Sequence, residues 1–231
     1  MSFVVKKITN RRWPLRCLLF LVVACNSKSD YNTPIPTPSQ TDSLKQEQVI
    51  TAALDTIRAN EKMVMQGDLI MRTGRDFTSE TMRNLCTLDK TYSHCGIASF
   101  ENDSLFVYHA IGGEWNPDQK LRRDPFEFFC NPFENRGFGI FRYKLSTPEN
   151  ARLINAVHKF YAQGIMFDMQ FDLASDERMY CTEFVYKSLE EARDDKMALG
   201  TTTINHIKFV APDNLFINSA CIEIKRVIFS R

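Results

Sequence analysis

The chain has 231 residues, 44% of them apolar and 25% charged, with a formal net charge of +1. This is an ordinary globular composition, sufficient for one domain with appendages and a real buried core. The basic excess that a nucleic-acid partner calls for is missing, so no nucleic-acid role is expected.

The N-terminus carries a targeting pattern. Lys6, Lys7, Arg11, Arg12 and Arg16 form a basic region, and Cys17 to Ala24 is a short apolar run. The run is too short to span a bilayer and has the flanks of a signal peptide. Val22-Val23-Ala24-Cys25 resembles a bacterial lipobox, in which the cysteine is lipidated and becomes the first mature residue. Residues 1–24 are therefore expected to be a lipoprotein signal peptide and Cys25 the lipidation site. Asn26 after the cysteine points to the outer membrane by resemblance to such signals. Cleavage removes five basic and no acidic side chains, leaving a mature formal charge of −4. Residues 25–41, with Pro34, Pro36 and Pro38, read as an extended tether that holds the domain, residues 42–231, off the membrane.

Asp42 or Ser43 can cap a helix through about Met63, with Val49, Ile50, Ala53, Leu54 and Ile57 on its apolar face. Gln66-Gly67-Asp68 breaks it, and Leu69 to Met71 reads as a short buried strand. A helix is expected at Ser79–Leu85 in an otherwise irregular stretch. Ser93–Phe100 and Leu105–Ala110 are strands, joined through Glu101-Asn102-Asp103-Ser104 as a hairpin. Asp124-Pro125 has the cap-then-proline signature of a short helix. Phe138–Tyr143 is a further strand. Thr147-Pro148-Glu149 opens a helix through Ala162, stopped by Gly164. A helix then begins at Cys181, with Phe184, Val185 and Leu189 at helical spacing. Ile207–Val210 and Ile222–Phe229 close the chain as strands. The mixture, with short antiparallel connections, is an α+β pattern.

Three residues stand out as chemistry. Cys181 lies at a helix start, where the dipole and free N–H groups favour a thiolate. His94 and His109 lie on the two strands of one hairpin and can be cross-strand neighbours. His94 then serves as the base for Cys181, and His109 fixes its tautomer and orientation. An imidazolium at His94 is expected to lower the pKa of Cys181. His158 and His206 lack such a context and read as ordinary surface or core residues. His94, Cys95, His109 and Cys181 are also zinc-type ligands. Yet adjacent strand residues point to opposite faces, and no Cys-x-x-Cys pair exists. Neither a metal nor a cofactor is expected.

Gly67-Asp68-Leu69-Ile70, Tyr92-Ser93-His94-Cys95-Gly96-Ile97 and Tyr180-Cys181-Thr182-Glu183-Phe184-Val185 together resemble the YiiX-like branch of the NlpC superfamily of papain-like cysteine hydrolases. The resemblance runs from about Gly67 to Glu191. It implies a circularly permuted papain-like fold, histidine before cysteine, with an antiparallel sheet packed against helices. It implies Cys181 as nucleophile, His94 as general base and His109 in the third position, where the family often has a carboxylate. The N–H of Cys181 is a candidate oxyanion donor. Tyr92, Asp168 and Glu183, which stand in or beside these motifs, are expected to contact substrate. Phe167 replaces a tyrosine common in the superfamily, so no hydroxyl is available there.

The expected function is cleavage of an amide or ester, in a cell-wall peptide or an acylated lipid or amino acid, by an envelope-anchored cysteine hydrolase. An inactive papain-like binding module is the alternative. Phe126, Phe128, Phe129, Phe133 and Phe138 can line an acyl groove or form core. Cys86, Cys95, Cys130 and Cys221 can make two disulfides or none, and spacing does not decide.

Overall fold

A computed structural model describes residues 40–113, 115–193 and 199–230. The signal peptide, the lipobox with Cys25 and nearly all of the tether lie outside them. The helix α1 (Gln40–Glu61) starts two residues inside the segment read as tether. The strand β1 (Leu69–Gly74) follows, then α2 (Phe77–Asn84), whose first turn is capped by the Asp76 carboxylate accepting from Ser79 N–H. The hairpin is β2 (His94–Glu101) and β3 (Ser104–His109), turning on Asn102 and Asp103, both left-handed. Next come β4 (Arg122–Pro125), α3 (Phe126–Phe129) and β5 (Asn135–Tyr143). The chain continues with α4 (Thr147–Gln163) and α5 (Cys181–Ala192). A small hairpin of β6 (Thr202–Ile204) and β7 (Ile207–Phe209) leads to α6 (Pro212–Phe216) and the last strand β8 (Cys221–Ile228).

The main sheet has the order β4-β3-β2-β1-β5-β8 and is antiparallel throughout. Both of its faces are covered, so alternate residues feed two cores. On one face Leu69, Met71, Cys95 and Ile97 pack with Leu153 and Val157 of α4, Phe184 and Leu189 of α5, and Leu215 and Phe216 of α6. On the other, Ile70, Ala98, Val107 and Ile140 pack with Ala53 and Ile57 of α1 and Phe126 and Phe129 of α3. The fold is thus mixed α+β with helices on both sides of an antiparallel sheet.

Two glycines set the geometry near the hairpin. Gly67 has φ +83° and enters β1 with Asn150 packed against it, where a Cβ would lie 2.0 Å from the Asn150 Oδ1. At Gly96 a Cβ would come within 2.6 Å of Tyr108 O and 3.0 Å of the His109 Cβ. Glycine there lets β3 close against β2 and leaves room for the His109 ring.

One expectation is corrected. Asp124 is not a helix cap: it sits in β4, opposite Val107, and α3 begins two residues later with no side-chain cap. Of the two readings left open for the phenylalanines, core holds for Phe126, Phe129 and Phe138, which are buried, while Phe128 and Phe133 are exposed. The five described cysteines are all free thiols.

Candidate active site

Strand alternation and the hairpin register build the polar part of the site. His94 opens β2, and His109 closes β3, on the sheet face covered by α3. Their rings meet edge to face and both rest on Phe129. His94 Nε2 lies 2.9 Å from His109 Nδ1, and His109 Nε2 lies 2.9 Å from Asp124 Oδ2. Arg122 donates to the other Asp124 oxygen at 2.8 Å. All three groups of this series are buried.

The series fixes both tautomers. An ionised carboxylate only accepts, so His109 carries its proton on Nε2. Its Nδ1 is then an acceptor and must receive the Nε2 proton of His94. His94 is left with an unprotonated Nδ1, the form a general base requires. Although burial acts to raise it, the hydrogen bonds from His109 and Arg122 hold Asp124 below the usual carboxylate range. Burial drives His109 down to about 4 against the pull of Asp124, with Arg72 adding to the drop. Burial and then Arg72 hold His94 well below its ordinary value. Both imidazoles are therefore neutral near pH 7.

Arg72 is a functional candidate that the sequence did not single out. It pairs with His94 across β1 and β2, lies over the Phe129 ring at 4.8 Å and donates to Phe129 O at 3.2 Å. Its Nε is buried without a hydrogen-bond partner. It is a cation set beside the two histidines, with Cys181 also within its field.

Cys181 is the first residue of α5, after an extended Tyr180 whose backbone N–H donates to the Glu183 carboxylate at 3.2 Å. Thr182 anchors this turn by donating to Val210 O, and Val210 N–H donates to the Tyr180 hydroxyl at 2.9 Å. A hydrogen bond from the Cys95 thiol is the largest influence on Cys181. With the N–H groups of Thr182, Cys95 and Cys181 itself, it lowers the Cys181 pKa against the effect of burial. The lowering comes from these donors and not from an imidazolium, because His94 is neutral; that expectation is corrected.

The structure thus brings His94 to His109, and Cys181 to Cys95, the residue next to His94. Cys181 makes no hydrogen bond to His94 among the described residues. By strand alternation the His94 ring lies on the α3 face of the sheet, while Cys181 joins the core on the α5 face.

The expected substrate contacts fall elsewhere. Tyr92 is buried against Phe141 and Phe216, with the Arg226 guanidinium 5.4 Å above its ring. Asp168 closes a tight loop by accepting from the N–H groups of Gln170 at 2.7 Å and Asp172 at 2.6 Å. Glu183 is fully buried and pairs with Lys187 at 2.9 Å; burial still pushes its pKa up to about 7. Lys187 also holds Asp176 at 2.6 Å and the Ser175 carbonyl, so this cluster straps the chain that enters α5. Backbone hydrogen bonds from Phe167 to Gln119 and from Leu121 to Ile165 tie that same chain to the approach to β4. Asp124 and Cys181 are thereby positioned by one connected framework.

No family model matches the chain, and no curated protein matches it. Among solved structures, the chain is similar to the crystal structure of the metalloprotein YiiX from Escherichia coli O157:H7. The likeness has a TM-score of 0.58 at 20% identity and covers 71% of this chain and 98% of that one. The chain therefore shares the fold of YiiX over most of its length.

Proposed function

We propose that this chain is a cysteine hydrolase that cleaves an amide or ester through an acyl-enzyme on Cys181. The observation that carries this reading is the Asp124–His109–His94 series, which leaves His94 Nδ1 unprotonated, the form a general base requires, at the start of the strand on which the Cys181 helix packs. Cys181 attacks the substrate carbonyl while His94 takes the thiol proton and later returns it to the leaving amine or alcohol. The N–H of Cys181 at the helix start is the candidate donor to the oxyanion. Water then attacks the thioester with the same base. The papain-like, permuted family reading of the motifs supports this assignment, and the likeness to YiiX is compatible with it.

The substrate class follows from the same resemblance: a cell-wall peptide, or an acylated lipid or amino acid. With the lipobox at Cys25, the domain would work in the cell envelope on a lipid anchor, at the outer membrane. Loss of detergent-phase partitioning in Cys25→Ser tests the anchor.

YiiX is described as a metalloprotein. The residues of this site do not suit a metal. Among the described residues no group of three or more His, Cys, Asp and Glu is placed to hold an ion. His109 commits both ring nitrogens to His94 and Asp124.

The test is a short acyl p-nitrophenyl ester mixed with the folded protein and quenched in acid. Intact-mass analysis is expected to show one acyl group, mapped to Cys181 and absent from Cys181→Ala. His94→Ala should slow acylation by roughly 10²–10⁴-fold. A wild-type protein with no acyl adduct and no turnover would overturn the reading in favour of a papain-like binding module.

A further inference from the structure

A second thiol faces the proposed nucleophile, and the mechanism does not use it. Strand alternation turns Cys95 away from the His94 face and into the core beneath α5, opposite Met71 in register. Cys181 opens α5, which packs directly on β2. Both cysteines belong to the one buried core where α5 meets β2, and the Cys95 thiol and N–H act on Cys181 as donors. The other described thiols are placed differently. Cys130 belongs to the opposite core with Phe129, Cys86 lies at the end of α2 against the Met82 carbonyl, and Cys221 opens β8.

We propose that Cys95 is a resolving cysteine: on exposure to a peroxide, Cys181 and Cys95 form a reversible disulfide that blocks the nucleophile and guards it from over-oxidation. This rests on the reading of Cys181 as the reactive thiol. The Cys181 thiolate attacks one peroxide oxygen, the O–O bond breaks, hydroxide leaves, and a sulfenic acid forms. The Cys95 sulfur then attacks the sulfenic sulfur. The Cys95 proton joins the departing hydroxyl, and water leaves as the S–S bond closes. The cysteine pair loses two electrons and the peroxide gains them. An external dithiol reverses the step and restores the thiolate.

The polarity of the pair fits this order of events. Burial and its bond to Cys181 hold Cys95 well above the usual thiol pKa, so it stays a protonated donor while Cys181 ionises first. Thiolate character decides which sulfur a peroxide oxidises.

The experiment treats the full folded chain with hydrogen peroxide and maps peptides without reduction. The expected product is a cross-linked peptide joining Cys95 and Cys181, lighter by two hydrogens. Iodoacetamide labelling of both residues should vanish and return with dithiothreitol. In Cys95→Ser and Cys95→Ala, Cys181 should instead advance to the sulfinic acid. The proposal is overturned if wild-type Cys181 goes to sulfinic or sulfonic acid while Cys95 still alkylates, or if a different thiol supplies the bridge. It is also overturned if Cys181 stays reduced. The acyl-ester assay, which needs no oxidant, then shows whether the nucleophile reading falls with it.

Discussion

Asp124 and Glu183 are buried carboxylates, one beside His109 and the other in the first turn of the Cys181 helix, and their protonation runs in opposite directions. Asp124 accepts from His109 and Arg122, and these donors outweigh burial and keep it ionised. Glu183 has Lys187 and one backbone N–H, and burial outweighs them, so its pKa rises to about 7. The difference teaches what each is built for. A carboxylate that must orient a histidine needs its negative charge near neutral pH. A carboxylate that straps a helix entry can be half protonated there and still accept a hydrogen bond.

The largest effect is expected from neutralising the orienting carboxylate. Asp124→Asn keeps the shape but can present an N–H to His109, which turns the tautomers of both histidines around. Turnover should fall by about 10²–10³-fold, less than for a carboxylate in direct contact with the base. Steady-state kinetics with a chromogenic ester reads this. Activity within a few-fold of wild type would mean that the series is structural only.

Removing the cation beside the histidines comes next. Arg72→Met takes away a positive charge that disfavours imidazolium, so the His94 and His109 pKa values should rise toward their ordinary range. The acid limb of the activity profile should move to higher pH with them. Ring-proton NMR titration measures both shifts directly. The same variant leaves Phe129 O without its donor, which should cost about 1–3 kcal/mol. Unmoved histidine titrations would remove Arg72 from the account.

The smallest effect is a pair of opposed slopes in stability against pH. His109 titrates near 4 when folded and near 6.5 when unfolded. Folding therefore releases a proton between these values, and stability falls as the pH drops through them. Glu183 titrates near 7 when folded and 4.5 when unfolded. Folding takes up a proton in that window, and this contribution is lost as pH rises through 7. The two slopes offset one another across the window they share. Glu183→Gln should expose the histidine slope, giving a urea midpoint that rises more steeply from pH 4 to 6.5 than in wild type. Parallel curves for the two proteins would show that Glu183 does not titrate in this range.

How much of this was legible in the sequence depends on how local each signal is. Cys181 could be read because Phe184, Val185 and Leu189 set a helical period that starts at it. His94 and His109 could be paired because Asn102 and Asp103 carry turn chemistry between two apolar runs. Asp124 could not be read as a strand residue. Arg122 to Pro125 is four residues with three charges and a proline, and it is held extended only by pairing with β3. The strand with Arg72 was read as ending at Met71, because its burial comes from β2, β5 and Phe129 rather than from its neighbours in sequence. Tyr92 shows the reverse error. Its place in a motif suggested substrate, but its ring is spent on Phe141 and Phe216. The partner strand β6 and the helix α6 carry too few apolar residues to show a period.

The central claim is that Cys181 is an activated thiol, and alkylation rate against pH tests it most directly. Folded wild-type protein is treated with iodoacetamide across a pH series, and each cysteine is followed by peptide mapping. Cys181 should react below the free-thiol pKa of about 8.5, ahead of Cys86, Cys95, Cys130 and Cys221. Because Cys95 and the backbone amides lower its pKa, Cys95→Ala should move the midpoint upward, while His94→Ala should leave it nearly in place. A Cys181 that alkylates no faster than the other four thiols would contradict the account.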